Sequence, residues 1–342
     1  MDTNLQVEVG GLVLKNPVIV GSAGYTDDSS GIRRFIERGY SAVVTKSTSK
    51  EPLVGSPPPR VFWYDPYKRT WLDGSEAHRN CGIEKMASGV KECIKLADDA
   101  NCHIIGSVSF NTVEEAKYIA STFEQAGVSA IELDMICPNV GPHLGIDFAT
   151  RGAYWADPKN PQRTIETLHA IKEAIDIPLW PKIPPNTLIQ NDIILNEPSA
   201  DAFVYGGPRM PGLAIDVETG KPLFSGNALL KVKNGMEFDP YSQPSLPATV
   251  LTTALLRHKT KIPLIPSGGI GSGFDIIQAM MAGAAAAEMC TAIYRDLDVI
   301  NSTLREIGWL MSKRGCTSLS EIIGIATEHI PFKLMRTPAI FK

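Results

Sequence analysis

Residues 126–139 read Ala-Gly-Val-Ser-Ala-Ile-Glu-Leu-Asp-Met-Ile-Cys-Pro-Asn, and this stretch holds one full passage from a helix into a strand and out again. Gly127 supplies the left-handed residue that typically ends a helix, and an apolar run follows at once. Polar residues and Pro138 end that run, because proline cannot donate to a strand ladder. The same junction recurs at residues 38–43 and 282–287. The repetition predicts one strand–helix unit that is used many times.

The rest of the chain alternates in the same way. Apolar runs of strand length lie at residues 17–22, 40–45, 103–109, 130–135, 179–183, 202–205, 263–267 and 284–289. Stretches with helical periodicity lie at residues 30–38, 84–96, 113–125, 161–175, 188–195, 248–258, 274–281 and 297–313. Near-continuous apolar strands are typical of a parallel sheet that is buried on both faces. Eight units predict an α/β fold, a (β/α)8 TIM barrel formed by residues 1–342 as a single domain, with an open doubly wound sheet as the alternative.

Two connections are too long for plain strand-to-helix loops. Residues 50–83 contain three consecutive prolines followed by several aromatic residues, and residues 206–247 are rich in proline. Such insertions are either surface decoration or a cover over the active site. Because long loops on this fold follow the carboxyl ends of the strands, we favour two cover insertions at that mouth.

Composition excludes several classes of protein. The chain has 33 Lys+Arg against 37 Asp+Glu, a net charge of −4, whereas nucleic-acid-binding proteins usually carry a basic excess or stripe. No apolar run reaches the ~18 residues that a membrane helix needs. The start Met-Asp-Thr-Asn and the charge of Glu8 predict no secretory leader. The six cysteines form no Cys-x-x-Cys pair, which favours reduced thiols in the cytoplasm and no metal or Fe–S site.

Polar residues follow most of the predicted strands, where a barrel places its chemistry. Lys46 and Lys182 both stand at such ends. Each could be a surface charge, but two lysines at one mouth more often bind an anion or a polarised carbonyl. Residues 267–273, Ser-Gly-Gly-Ile-Gly-Ser-Gly, open a helix after the seventh strand, near Cys290 and Thr291 after the eighth. The loop is either a tight turn or a phosphate site, and the fold's usual phosphate position favours the site.

Cys137 lies in a loop after the fourth strand, because Pro138 ends that strand. Most free cysteines are buried and structural. A partly exposed thiol near two lysines could instead act as an acid/base group.

Together these motifs resemble the FMN-dependent dihydroorotate dehydrogenase family, which includes the pyrimidine-reducing domain of dihydropyrimidine dehydrogenase. The similarity covers roughly residues 5–325, and it is closest to the soluble branch that uses a cysteine base. The motifs that carry it, in order, are Asn-Pro-Val-Ile-Val-Gly-Ser-Ala-Gly at 16–24, Thr-Lys-Ser at 45–47, Pro-Arg at 59–60, Glu-Leu-Asp-Met-Ile-Cys-Pro-Asn at 132–139, Pro-Lys-Ile-Pro-Pro-Asn at 181–186, Gly-Gly-Ile at 268–270 and Cys-Thr-Ala at 290–292.

The resemblance implies an FMN site across the barrel mouth. The flavin phosphate would lie on Gly268, Gly269 and Thr291. Lys46 and Lys182 would reach the flavin ring and stabilise negative charge on its reduction. The implied cofactor-binding residues are Ala23, Gly24, Lys46, Ser47, Lys182, Gly268, Gly269, Cys290 and Thr291.

The resemblance also implies a site for a small ring substrate. Cys137 would exchange a proton with one substrate carbon while flavin N5 exchanges a hydride with its neighbour. Asp134, Asn139 and Gly207 would bind the substrate. Asp134 replaces an asparagine of the family, and Gly207-Pro208 replaces a polar pair. An ionised carboxylate only accepts hydrogen bonds, so we expect a dihydropyrimidine-like ring with N–H donors rather than orotate.

Other functions remain open from the sequence. The chain could be a true dihydroorotate dehydrogenase, or a phosphate-binding barrel aldolase or isomerase with Lys182 as a Schiff-base lysine. It could also be a flavin-carrying subunit that hands electrons to a partner. We expect a homodimer, and the absence of Fe–S and NAD motifs requires a small electron acceptor or a separate electron-transfer subunit.

Overall fold

A computed structural model describes residues 4–55, 79–136, 155–206 and 246–330, and it gives the backbone alone of short strands at 61–65, 70–73, 210–212 and 236–238. The strands, numbered along the chain, are β1 (Val7–Val9), β2 (Leu12–Leu14), β3 (Val18–Val20), β4 (Ala42–Val44), β5 (Val61–Asp65), β6 (Thr70–Asp73), β7 (His103–Val108), β8 (Ala130–Asp134), β9 (Leu179–Lys182), β10 (Phe203–Gly206), β11 (Met210–Gly212), β12 (Met236–Phe238), β13 (Leu264–Ser267) and β14 (Ala287–Met289).

Eight parallel strands close into a barrel in the order β3-β4-β7-β8-β9-β10-β13-β14. Each overlaps one of the predicted apolar runs. The pairing of β14 with β3 closes the ring, so the TIM barrel is confirmed and the open-sheet alternative is wrong. The barrel strands are buried almost throughout, as a sheet covered by helices outside and side chains inside requires.

Helices follow the barrel strands and lie around the outside. They are α1 (Ser29–Glu37), α2 (Ile83–Asp99), α3 (Val113–Ala126), α4 (Pro161–Lys172), α5 (Pro185–Gln190), α6 (Asp192–Leu195), α7 (Leu246–Arg257), α8 (Gly273–Met281), α9 (Thr291–Arg295) and α10 (Val299–Arg314). The predicted junctions hold: Gly127 ends α3 in the left-handed conformation, with φ of 96°. Gly39 and Gly283 share a positive φ at the other two junctions. None of the helices within the described ranges is long and apolar enough to cross a membrane.

The amino-terminal end of the barrel is closed by the antiparallel hairpin of β1 and β2. Gly10 in its turn accepts a hydrogen bond from Trp180 Nε1 at 2.9 Å. A Cβ on Gly10 would lie 2.2 Å from that nitrogen, so the turn approaches β9 more closely than any other residue type would allow. This end is packed, and the chemistry is left to the opposite end.

Each of the two long insertions contains an antiparallel pair, β5 with β6 and β11 with β12. The base of the first insertion is fastened by reciprocal backbone hydrogen bonds between Leu53 and Asn80, at 3.0 and 3.1 Å. Strands β6 and β12 contact each other, so the two insertions meet.

Candidate active site

The structure brings most of the predicted site residues to one end of the barrel. The residues at or just beyond the carboxyl ends of barrel strands are Ala23, Gly24, Lys46, Ser47, Asp134, Lys182, Gly268, Gly269, Cys290 and Thr291. Cys137, Asn139 and Gly207 lie outside the described residues, and their roles stay predictions.

A buried ion cluster lies inside the barrel beneath this mouth. Lys182 is the last residue of β9, and its Nζ donates to Glu288 Oε2 at 2.8 Å. The same nitrogen lies 3.3 Å from Glu132 Oε2 and 3.4 Å from Oε1. The side chains are 12% exposed for Lys182, 0% for Glu132 and 1% for Glu288. One ammonium group and two carboxyl groups are therefore removed from water together.

The surroundings of this cluster favour an extra proton on Glu132. Burial raises the pKa of Glu132 well above its ordinary value, and the nearby charge of Glu288 raises it further, against the opposing effect of Lys182. Burial alone would lower the pKa of Lys182, but Glu132 and Glu288 together raise it above the ordinary lysine value. These directions favour a protonated Glu132 beside a charged Lys182.

Hydroxyl groups connect this cluster to Asp134 at the end of β8. Ser47 Oγ donates to Asp134 Oδ2 at 2.9 Å and lies 3.0 Å from Ser107 Oγ. Asp134 Oδ1 accepts from the backbone N–H of Ile136 at 3.3 Å. Ser22 Oγ in turn accepts from the Ser47 backbone N–H at 2.9 Å. The half-buried Asp134 carboxylate is thus held in place by donors on both of its oxygens.

Cys290 follows β14 and packs against the cluster. Burial, followed by the negative charge of Glu288, raises the pKa of its thiol to about 11. The thiol stays protonated near neutral pH and is no nucleophile. A Cβ on Gly21 would lie 2.2 Å from the Cys290 sulfur, so the glycine makes room for this side chain. The backbone carbonyl of Cys290 accepts from the Tyr25 hydroxyl at 3.2 Å.

The glycine-rich loop after β13 has the backbone that a close approach to a ligand needs. Gly268 and Gly269 have φ of 97° and 78°, a conformation that residues with a side chain rarely adopt. Thr249 Oγ1 donates to the Gly268 carbonyl at 2.9 Å and fixes the orientation of that peptide.

The helix that this loop opens uses its own residues to satisfy its amino-terminal N–H groups. Ser272 Oγ accepts from Asp275 N at 3.3 Å, and Asp275 Oδ2 accepts from Gly271 N at 2.9 Å. Glu306, on α10, accepts from Gly273 N at 2.7 Å. By contrast, Cys290 at the start of α9 makes no side-chain capping bond. Three N–H groups at the start of α8, those of Gly271, Gly273 and Asp275, are therefore already bonded within the protein.

Lys46 is positioned by the end of β4. Its backbone N–H donates to the carbonyl of Thr26 at 3.0 Å, and Thr26 Oγ1 donates to the Ala23 carbonyl at 3.0 Å. These bonds tie the segment after β3, a short 3-10 helix at Gly24–Thr26, to the segment after β4. The Lys46 side chain is half-buried at the mouth.

No role is predicted from the sequence for Glu132, Glu288 or Ser107. The available signal was a glutamate inside an otherwise apolar strand, as in Ala287–Met289 and Ala130–Asp134. A buried carboxyl group requires a partner, and such a residue therefore predicts a polar contact inside the barrel.

The family model described as Dihydroorotate dehydrogenase matches residues 4–311. This chain belongs to the dihydroorotate dehydrogenase family. It is 29% identical over 328 residues to "Dihydroorotate dehydrogenase A (fumarate)" of Limosilactobacillus reuteri, covering 93% of this chain and 96% of that protein. It is 28% identical over 325 residues to "Dihydroorotate dehydrogenase B (NAD(+)), catalytic subunit" of Methanocella arvoryzae, with the same coverage of 93% and 96%.

The fold is also that of a solved dihydroorotate dehydrogenase. The crystal structure of DHODH from Eimeria tenella in complex with ferulenol matches with a TM-score of 0.73 at 16% identity, over 96% of this chain and 89% of that one. The family is FMN-dependent, and this protein is a flavin-dependent oxidoreductase that acts on a CH–CH bond. The positive-φ pair Gly268–Gly269 and the uncapped start of α9 fit a phosphate group.

Proposed function

We propose that the protein exchanges a hydride between FMN and the C–C/C=C bond of a small, neutral, dihydropyrimidine-like ring. Bound FMN would supply the hydride chemistry. Gly268, Gly269 and Thr291 would hold its phosphate, and Lys46 and Lys182 would lie at its ring. Cys137 would exchange the accompanying proton with the neighbouring substrate carbon, as the motif around it implies.

The substrate class rests on the Asp134 carboxylate. Its two oxygens are held by Ser47 and the Ile136 backbone N–H, so its position is fixed. An ionised carboxylate offers acceptors only, and it attracts ring N–H donors. Another carboxylate beside it in a dry pocket is unfavourable unless one of the two is protonated. Asp134 therefore favours a neutral ring over orotate.

Dihydroorotate itself is the second candidate. The names of the relatives favour it. Both are dihydroorotate dehydrogenases, and the similarity to this chain covers 96% of each of them. The aldolase alternative loses its basis, because a Schiff-base lysine requires a lowered pKa and the two carboxyl groups raise that of Lys182.

Titration of the FMN-loaded protein with orotate and with uracil, followed by the change in flavin absorbance, separates the two candidates. We expect wild type to favour uracil, and the nearly isosteric Asp134→Asn to weaken uracil binding and strengthen orotate binding. Loss of a donor–acceptor match changes the affinity by about 5- to 150-fold. Tight orotate binding by wild type that weakens in the asparagine variant would instead establish dihydroorotate as the substrate.

We propose further that the two insertions, residues 50–83 and 206–247, jointly cover the mouth. The contact between β6 and β12 supports this proposal, because each strand belongs to a different insertion.

The names of the relatives suggest two kinds of electron acceptor. One relative carries fumarate in its name, and another is named the catalytic subunit of an NAD(+) enzyme. Reoxidation of the reduced protein by fumarate would indicate a small acceptor. A protein that reacts with neither fumarate nor NAD+ would require the separate electron-transfer subunit.

A further inference from the structure

Four side chains form an unbroken chain of hydrogen bonds from the buried cluster to the mouth. Glu132 Oε1 lies 3.0 Å from Ser107 Oγ, which lies 3.0 Å from Ser47 Oγ. Ser47 Oγ lies 2.9 Å from Asp134 Oδ2. Both ends of the chain are carboxyl groups, and both links between them are hydroxyl groups.

Each hydroxyl group has one proton to donate, so the chain can be ordered in only one direction at a time. Ser47 donates to Asp134, and its oxygen can accept from Ser107 at 3.0 Å or from Ser22 at 3.2 Å. Ser107 donates to an ionised Glu132 at 3.0 Å, whereas a protonated Glu132 can donate to Ser107 instead. The order that runs from Glu132 through Ser107 and Ser47 to Asp134 therefore needs a protonated Glu132 and an ionised Asp134.

The surroundings place the proton at the buried end. Glu132 is fully buried, and the charges of Glu288 on β14, Lys182 on β9 and Asp134 on its own strand act on it, together with a side-chain hydrogen bond to Glu288. The direction of its pKa shift, upward, favours the protonated form that this order needs. Asp134 is half-buried at the mouth, where water or a ligand can stabilise its charge.

We propose that Ser107 and Ser47 form a proton relay between Glu132 and Asp134. Glu132 passes its proton to Ser107, the Ser107 proton passes to Ser47, and the Ser47 proton passes to Asp134. Glu132 then becomes the carboxylate beside Lys182, Asp134 becomes the neutral acid, and both hydroxyl groups are regenerated. No electrons, solvent or other reactant enter the step.

The relay gives Asp134 two states that it can adopt without exchanging a proton with bulk water. As a carboxylate it accepts from N–H groups, and as a neutral acid it donates to a ligand acceptor. The role of this switch toward a ring substrate rests on the proposed function. The proton path itself depends only on the protein and is tested without a ligand.

Infrared spectroscopy of the FMN-loaded protein follows the proton directly. The band of a protonated carboxyl group that disappears in Glu132→Gln is assigned to Glu132, and its shift after dilution into D2O gives the exchange rate. We expect Ser47→Val to slow this exchange by about tenfold or more, since one broken link raises the barrier to transfer. Ser47→Thr, which differs from the valine variant by a hydroxyl in place of a methyl group, should exchange at the wild-type rate.

One further variant adds to the result. Ser107→Ala should also slow the exchange, but a water molecule could replace the lost hydroxyl group, so the comparison of the two Ser47 variants is the decisive one. The relay is refuted if no such band depends on Glu132, or if Ser47→Val and Ser47→Thr exchange equally fast. A failure to bind uracil or orotate would refute the proposed substrates and leave these outcomes intact.

Discussion

Replacing Glu132 and Glu288 with glutamine, singly and together, tests whether the two carboxyl groups hold one proton between them. In either single variant the remaining carboxyl group still pairs with Lys182, whose Nζ lies 2.8 Å from Glu288 and 3.3 Å from Glu132. The glutamine keeps an oxygen that accepts a hydrogen bond. We therefore expect each single variant to lose about 1 kcal/mol of unfolding free energy or less.

The double variant leaves a buried ammonium group with no carboxylate in contact. A buried charge that loses its partner costs about 3–5 kcal/mol. Lys182 limits the loss by releasing its proton. Moving its pKa from the ordinary 10.5 to below pH 7 spans about 3.5 pH units, or about 5 kcal/mol. The double variant should therefore lose about 2 kcal/mol more than the two single variants together.

The pH dependence has a definite sign. A neutral Lys182 in the folded double variant gains a proton on unfolding, so the stability of that variant rises with pH up to the unfolded pKa of 10.5. In wild type the pKa of Lys182 is raised, and its contribution is lost only above 10.5. The difference in unfolding free energy between wild type and the double variant should thus shrink by about 2–3 kcal/mol between pH 7 and pH 9.

Urea denaturation of the flavin-free proteins, followed by circular dichroism at both pH values, measures these free energies without a contribution from FMN binding. Losses that add within about 0.5 kcal/mol would show that the carboxyl groups act independently. A deficit that is equal at pH 7 and pH 9 would show that Lys182 keeps its charge without them.

Three other substitutions test separate parts of the site. Cys137→Ala should keep FMN but slow flavin reduction by about 10²–10⁴-fold in stopped-flow measurements, as the loss of an acid/base group does; full activity would remove Cys137 from the mechanism. Lys46→Ala should release FMN more readily in ultrafiltration, and unchanged FMN content would place that side chain elsewhere. Gly21→Ala should lose about 1–3 kcal/mol in urea denaturation, because its Cβ would lie 2.2 Å from the Cys290 sulfur. Gly308→Ala, whose Cβ meets nothing within 4 Å, is the control that should not be destabilised.

The barrel could be predicted from sequence because its strands are buried on both faces. An apolar run such as Val18–Val20 needs no knowledge of its neighbours to be read as a strand. The division of one periodic segment into two helices was harder to predict. The periodic segment at 188–195 is two short helices, because Asn191 adopts an extended backbone, with φ of −128° and ψ of 90°, between them.

The site was predicted only where its signal is local. Gly268–Gly269 and the strand-end lysines stand out in the sequence. The role of Glu132 and Glu288 does not stand out in the sequence, because their common partner Lys182 lies 50 residues from one and 106 from the other. The hydrogen bond from the Gly273 N–H group to Glu306 could not be predicted for the same reason. Glu306 lies on a different helix, 33 residues further along the chain.

The charges at the mouth bear on which substrate the protein oxidises. Lys46 and Asp134 bring side chains of opposite charge to the mouth. An anionic ring placed against Asp134 requires that residue to be neutral, and the proton relay would take the proton from Glu132. Glu132 would then carry a negative charge beside Lys182, where reduction of a flavin also adds negative charge, and this opposes reduction. A neutral ring leaves the proton on Glu132 and avoids the penalty. Flavin reduction potentials measured with and without orotate test this argument: orotate should lower the potential of wild type more than that of Ser47→Val, and equal shifts would contradict it.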